Sequence, residues 1–240
     1  MKTALVLILL LASFGETIAQ SQEMAPGDSI PWELRKQSFI YNTALQFNDP
    51  IVARMALYNL IAENPGNVIL YDSLALSYLQ YNQNASAALS AAQALRINPN
   101  DVLALEISAT GLDKLGAKSK ALDAYEKLYS NNQDISTLYK VGFLQFELKR
   151  FAESTTSLDI IIEDPKAKEY TITFPTTDRM GQDVSLEVAA YRVKAMIEES
   201  KGNVEEAKTK YLEVLEMFPG FQVVQQQLRE LTKPPEQADE

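Results

Sequence analysis

The sequence predicts an all-α protein: an α-α superhelical solenoid of about five helix-turn-helix repeats, with a short β-hairpin-like insertion and a C-terminal capping helix. Prolines recur at positions 65, 99, 165 and 219, at intervals of 34, 66 and 54 residues. These intervals correspond to one period of about 34 residues, to two periods, and to one period with an inserted block. Such regular spacing indicates a repeat architecture. Small and large apolar residues recur at helical spacing between these prolines, which end each module because proline cannot extend a helix.

The chain opens with a pattern typical of a secretory signal. An apolar run of nine residues follows Lys2 closely, and small residues flank a cleavage site at Ala19. We therefore predict a signal peptide at residues 1–19 and a flexible N-terminus at 20–30. The apolar run is shorter than the roughly 20 residues that cross a bilayer, so no membrane span is expected after cleavage. The alternative is that residues 1–19 are not cleaved and act as a tether.

Repeats 1–4 are predicted over residues 31–165. The pattern is clearest in the second repeat, where Tyr71, Ala75 and Tyr78 precede Ala87 at helical spacing. Two short helices cannot bury their apolar faces alone, so successive pairs must stack. Alanines let helix axes approach closely, and tyrosines fill the space that remains.

This pattern resembles the tetratricopeptide repeat, a helix-turn-helix module of about 34 residues. Gly116, Ala121 and Tyr125 occupy matching places in the third repeat. The fourth repeat has Ser154 where alanine is usual, and the first repeat is degenerate. A fifth repeat is predicted over residues 185–219.

The extra block between the fourth and fifth repeats, residues 166–184, predicts a hairpin or flap. Ile172 and Phe174 alternate there with threonines, as in a half-buried strand. Apolar residues return at helical spacing over 220–232, which indicates a capping helix, and the polar tail 233–240 is predicted to be disordered. With this insertion the chain resembles exported repeat proteins of Bacteroidetes-type bacteria.

The composition excludes several classes of function. The 240 residues contain no His and no Cys, so the commonest general base, the thiol nucleophile and most transition-metal ligands are missing. We expect no enzymatic activity, no metal and no cofactor. The formal net charge of −10 argues against nucleic-acid binding. An exported chain without cysteine fits a bacterial periplasm, and secretion is the alternative.

In tetratricopeptide proteins the first helix of each repeat lines a concave groove that accepts peptides or partner helices. The resemblance therefore implies a partner-binding groove on the first helices of this chain. Its predicted lining is Asn42, Asp72, Leu76, Leu79, Glu106, Thr110, Asp113, Tyr139, Phe143, Phe146, Arg192 and Met196.

One aromatic set within this lining has two interpretations. Tyr139, Phe143 and Phe146 are spaced by four and three residues, so they share one helix face. They either anchor an apolar side chain of a partner, or they have a packing role, against the inserted hairpin or simply in the core.

Some family members grip the C-terminal carboxylate of a chaperone with a clamp of basic and asparagine side chains. Ser38, Ser73, Leu103 and Ile107 stand where that clamp would lie. The resemblance therefore does not extend to this ligand.

The predicted function is a protein-protein interaction scaffold or adaptor at the bacterial cell envelope, binding a partner segment in the groove. The acidic balance favours a protein or peptide with basic or mixed patches, since charge complementarity assists encounter. The alternative is a small-ligand protein that binds a glycan or peptide with its groove aromatics and flap. The partner's identity and the oligomeric state stay open.

Overall fold

The structure is a computed structural model, and it describes residues 30–177 and 180–233. Within these ranges the chain forms eleven α-helices, one short 3-10 helix and one two-stranded antiparallel sheet. The predicted all-α class with a small hairpin is confirmed. The signal peptide predicted at 1–19 and the tail from 234 onward lie outside the described residues.

The contacts divide the chain into two units, which meet in sequence between Glu63 and Asn64. The N-terminal unit holds one pair of packed helices. Asp49 begins the second of them, because its Oδ1 accepts the backbone N–H of Val52 at 3.1 Å. The helices of this unit are α1 (Trp32–Gln46) and α2 (Pro50–Glu63).

The C-terminal unit holds four further helix pairs and a closing helix, and each helix packs against the next. No helix among the described residues has both the length and the apolar composition that a membrane span requires. The helices are α3 (Val68–Gln80), α4 (Asn84–Ile97), α5 (Val102–Lys114), α6 (Lys118–Asn132), α7 (Ile135–Glu147), α8 (Phe151–Glu163), α9 (Leu186–Ser200), α10 (Val204–Met217) and α11 (Gln222–Leu231).

Alanines lie where the helices of the C-terminal unit approach each other. The six alanines at the small positions of the repeat pattern are all 0 % exposed. A larger side chain at any of them would push two helices apart, since interiors are close-packed. These positions are Ala75, Ala87, Ala109, Ala121, Ala195 and Ala207.

The first helix of every pair ends in the same way. The residue two positions after each of these helices has a positive φ, between 53° and 80°. This left-handed conformation is free of cost only for glycine. Two pairs use Gly116 and Gly202, whereas the others place Asn48, Asn82 and Lys149 there.

The insertion is a β-hairpin that follows the 3-10 helix Pro165–Lys168. Strand β1 (Thr171–Phe174) pairs antiparallel with β2 (Gln182–Ser185), and Thr171 lies opposite Ser185. The side chains of Ile172 and Phe174 pack against the core. Ser185 then begins α9, because its Oγ accepts the backbone N–H of Val188 at 3.3 Å.

The hairpin and the closing helix α11 are fastened to each other. Phe221, immediately before α11, is 0 % exposed, and its ring meets the Phe174 ring edge-on with centroids 5.0 Å apart. Gln182 also donates from Nε2 to the carbonyl oxygen of Gly220 at 2.7 Å. The hairpin is therefore part of the packed end of the C-terminal unit.

The left-handed backbone at Lys149 generates a stability prediction. Lys149→Gly should raise the free energy of unfolding by about 1 kcal/mol, because glycine adopts this φ without a steric penalty. The matched control is Lys140→Gly, which deletes the same exposed side chain inside α7. It should lower the free energy of unfolding by about 1 kcal/mol. Urea unfolding followed by circular dichroism measures both changes, and equal signs for the two variants would contradict the assignment.

Candidate functional site

Eleven of the twelve predicted groove residues lie on α3, α5, α7 and α9, the first helices of the pairs in the C-terminal unit. We call the side of this unit that these four helices form the first-helix face. Helix α3 contacts α5, and α7 contacts α9, so the stacking brings together residues from different repeats. The twelfth residue, Asn42, is exposed on α1 of the N-terminal unit.

Asp72 is the most unusual residue of the face. It is 7 % exposed, and its Oδ1 is buried without a hydrogen-bond partner among the described residues. Burial, and secondly the charge of Asp101, raise the pKa of the Asp72 carboxyl to about 7. Leu76 and Leu79, one and two turns further along α3, are half-buried. Asp72 therefore begins a stripe that turns from acidic to apolar.

Two acidic residues that the sequence analysis did not select approach the face from helix starts. Asp101 caps α5, since its Oδ1 accepts the N–H of Ala104 at 3.0 Å. Asp134 caps α7, since its Oδ2 accepts the N–H of Thr137 at 2.9 Å. The signal was present in the sequence, because an aspartate directly before a helix is a common cap.

Glu106 is exposed on α5 and lies near the second of these caps. The loss of surrounding water beside the packed helices, followed by the charge of Asp134, raises the pKa of the Glu106 carboxyl. In the described part of the chain, the salt bridges involve other acids, and neither Asp72 nor Glu106 forms one.

The remaining α5 residues of the predicted lining surround a buried tyrosine. The hydroxyl oxygens of Thr110 and Tyr125 lie 3.4 Å apart. Burial raises the pKa of Tyr125, and the charges of Asp113 and Glu106 act in the same direction. The α3–α5 part of the face is thus acidic.

The α7 part of the face is aromatic. Ring centroids lie 6.4 Å apart for Tyr139 and Phe143, and 6.0 Å apart for Phe143 and Phe146. The row continues to Phe151 on α8, 6.2 Å from Phe146. Tyr139 is 4 % exposed and belongs to the core, whereas Phe143 and Phe146 are half-buried. The core interpretation fits Tyr139, and the two phenylalanines keep surface that a partner can reach.

Arg192 on α9 joins four elements of the unit. It is 9 % exposed, and its Nε donates to Oε1 of Gln227 on α11 at 2.8 Å. Its guanidinium carbon lies 5.2 Å from the centre of the Phe174 ring of the hairpin. Its positive charge also favours the ionised form of Tyr139 on α7. Burial lowers the pKa of Arg192 and raises the pKa of Tyr139 to about 12.

Arg192 is thus held inside the unit by one hydrogen bond to Gln227 and by its contact with the Phe174 ring. Met196, one turn further along α9, is half-buried and packs on the core. A binding role for these two residues stays a prediction.

The N-terminal unit, taken by itself, carries an apolar surface that the sequence analysis did not select. Phe39 is 71 % exposed, Phe47 79 % and Ile51 68 %. Phe39 and Thr43 lie one turn apart on α1, and Phe47 follows directly after the helix; this spacing by four residues was readable in the sequence. These side chains border a shallow pocket of about 260 Å³ lined by Phe39, Ile40, Thr43, Ala44, Phe47, Asp49 and Val52.

The described residues include no group of three or more His, Cys, Asp or Glu side chains placed to hold a metal ion. The acidic part of the first-helix face consists of carboxylates on α3 and α5 and at the starts of α5 and α7. The first-helix face therefore presents acidic and apolar side chains on helices that are held in place by packing.

Comparison with known proteins shows similarity in structure. No protein-family model matches the sequence, and a search of curated proteins finds no significant match. The chain resembles a tetratricopeptide repeat protein from Parabacteroides merdae, with a TM-score of 0.63 and 19 % identity over 84 % of this chain and 73 % of that protein. It resembles MamA with a TM-score of 0.60 and 15 % identity, over 84 % of this chain and 97 % of MamA.

A third similar structure is YrrB, described as a TPR protein with an unusual peptide-binding site. Its TM-score is 0.51 and its identity 17 %, over 73 % of this chain and 86 % of YrrB. At these identities the likeness concerns the fold alone. The chain has the tetratricopeptide-repeat fold that the sequence predicted.

The buried carboxyl of Asp72 generates a pH prediction. Its pKa in the folded chain, about 7, lies above its ordinary value of 3.8, so ionisation destabilises the fold increasingly as the pH rises through this interval. Asp72→Asn should therefore raise the free energy of unfolding by about 1 to 3 kcal/mol near pH 8. Near pH 4 the gain should be close to zero.

The control for this prediction is Glu163→Gln, which removes an exposed carboxyl of α8 and should change stability little at either pH. Urea unfolding at the two pH values provides the measurement. A gain from Asp72→Asn that is independent of pH, or a loss near pH 8, would contradict the assignment.

Proposed function

We propose that this protein is a non-catalytic interaction scaffold or adaptor that binds a segment of a partner protein along its first-helix face. The observation that carries the proposal is the composition of that face. Half-buried apolar side chains and unpaired carboxylates from several repeats share one side of a rigid stack. Such a mixture is typical of surfaces that recognise a protein segment.

The stacked helices support this role because they hold the face in place before a partner arrives. Leu76 and Leu79 on α3 and Phe143 and Phe146 on α7 are partly fixed by packing on the core. A preformed surface loses little conformational entropy on binding, so more of the contact energy contributes to affinity. The peptide-binding site described for YrrB shows that this fold supports such recognition in another protein.

The contacts of the hairpin favour a protein partner over a small ligand held beneath a moving flap. The backbone N–H of Thr177 donates to Oε1 of Gln222 at 3.2 Å, and Gln182 binds the carbonyl of Gly220. Phe174 is also held between Arg192 and Phe221. The lid of the small-ligand alternative would have to break these contacts to open.

We place the scaffold at the bacterial cell envelope, in the periplasm. The proposal depends on the signal pattern at residues 1–19 and on the absence of cysteine from the sequence. The mature chain should begin at Gln20 and appear in the periplasmic fraction. Mass spectrometry of the purified protein tests this, and a mass that retains residues 1–19 would contradict cleavage.

Site-directed photo-crosslinking in the native host tests the binding surface. A photoreactive p-benzoylphenylalanine at Leu79 or Phe143 should capture the same partner protein, because both positions lie on the first-helix face. The matched controls are the same replacement at Leu212 and Glu216, exposed residues of the second helix α10. These positions should capture far less of that partner.

Capture that is equal at the four positions, or absent at the first-helix face, would overturn the proposal. Thermal unfolding of each variant shows whether its fold is retained. A ligand released by the protein that is a saccharide, with no crosslinked protein, would instead support the small-ligand alternative.

A further inference from the structure

The acidic part of the first-helix face carries information about the chemistry of the partner, provided that this face is the binding surface proposed above. Two pairs of carboxylates lie there at the boundaries between repeats. One pair is Asp72 with Asp101, and the other is Glu106 with Asp134. We call these four residues the acidic section.

In the first pair, one carboxylate oxygen of Asp72 forms no hydrogen bond within the described part of the chain. The buried Oδ1 of Asp72 receives no hydrogen bond from the described residues, and the nearest charge that affects the carboxyl is another carboxylate, Asp101. Burying a polar atom without a partner costs stability, and a neighbouring like charge adds to the cost. Core packing alone would be served by an uncharged side chain at this position.

Arg192 shows that the same protein satisfies a buried charge where the charge serves the fold. Its guanidinium is surrounded by Gln227, Tyr139 and the Phe174 ring. Asp72 is similarly buried but has no such surroundings. Arg192 therefore contributes to packing, whereas Asp72 has no such partner among the described residues.

The two cap aspartates each have a fixed structural role. Asp101 and Asp134 each hold the N-terminus of a helix through a backbone hydrogen bond. A carboxylate accepts several hydrogen bonds, so each cap retains acceptor capacity. The acidic section thus combines Asp72, which has an oxygen without a donor in the described ranges, with two cap carboxylates that can accept further hydrogen bonds.

We propose that the acidic section binds lysine or arginine side chains of the partner segment, one between Asp72 and Asp101 and a second between Glu106 and Asp134. The ammonium or guanidinium donates to those carboxylate oxygens of the acidic section that stay accessible, and its positive charge offsets the cost of the buried Asp72 carboxylate. The half-buried Leu76 and Leu79 then contact the aliphatic stem of the basic side chain. The partner is a basic segment, with apolar residues placed toward Phe143 and Phe146.

Fluorescence anisotropy with synthetic peptides tests this inference on the mature chain. Three labelled peptides share a scaffold of glycine, serine and leucine and carry two arginines, two glutamines or two glutamates. The arginine peptide should bind about tenfold more tightly than the glutamine peptide, as expected for charge-assisted hydrogen bonds to a desolvated site. The glutamate peptide should bind least, and added salt should weaken the arginine peptide.

The decisive variant is D72N combined with E106Q, compared with the matched control E163Q combined with E216Q. Both variants lose two negative charges, but the control positions are exposed on the second helices α8 and α10. The first variant should lose the tenfold preference for arginine, and the control should keep it. Unfolding is not an explanation for the loss, since D72N is expected to stabilise the fold near neutral pH.

Equal arginine preference in the two variants, or equal binding of the three peptides, would overturn the inference. Calcium and magnesium are added alone in a thermal-shift arm. A melting temperature that rises with either ion and no longer rises in D72N would identify a cation site and also overturn it. If crosslinking at Phe143 captures a partner whose binding is unchanged by D72N with E106Q, the proposed function stands and the charge assignment fails. If the face captures nothing, both fail.

Discussion

The structure depends on one constraint: two short helices cannot bury their apolar faces without neighbours. In the C-terminal unit, successive pairs solve this by stacking at alanines such as Ala87 and Ala121, which are 0 % exposed. The closing helix α11 covers the last pair with Val224 and Phe221. Among its described residues the N-terminal unit is a single pair, in which Phe39 and Phe47 are largely exposed. Within the C-terminal unit, helices of neighbouring pairs cover the apolar surface.

The same stacking produces the candidate site, because it brings first helices from different repeats to one side. The polar groups that this packing buries differ in whether they find partners inside the protein. Arg192 is satisfied by groups from α7, α11 and the hairpin, so it stabilises the end of the unit. Asp72 is left without a donor beside a second carboxylate. The fold thus uses the buried Arg192 for its own stability, whereas the unsatisfied Asp72 is the basis of the binding role proposed for it.

Features that depend on nearby residues were readable from the sequence. The proline spacing predicted the helix pairs, the alanines predicted their contacts, and the alternation at Ile172 and Phe174 predicted the hairpin, because each pattern follows from helix or strand geometry. Gly116 and Gly202 mark left-handed turns for the same reason. Lys149 adopts the same turn against its preference, since the position in the repeat overrides the residue type.

The sequence by itself determined the repeat, the overall charge, the absence of His and Cys, and the residues of the first helices. The tertiary structure decided which of those residues are accessible: Tyr139 and Arg192 became packed, and Phe143 and Phe146 stayed half-buried. It also placed Asp101 beside Asp72 and Asp134 beside Glu106. The physical reason is that burial and charge pairing are properties of neighbours in space, and the neighbours of these side chains come from other helices.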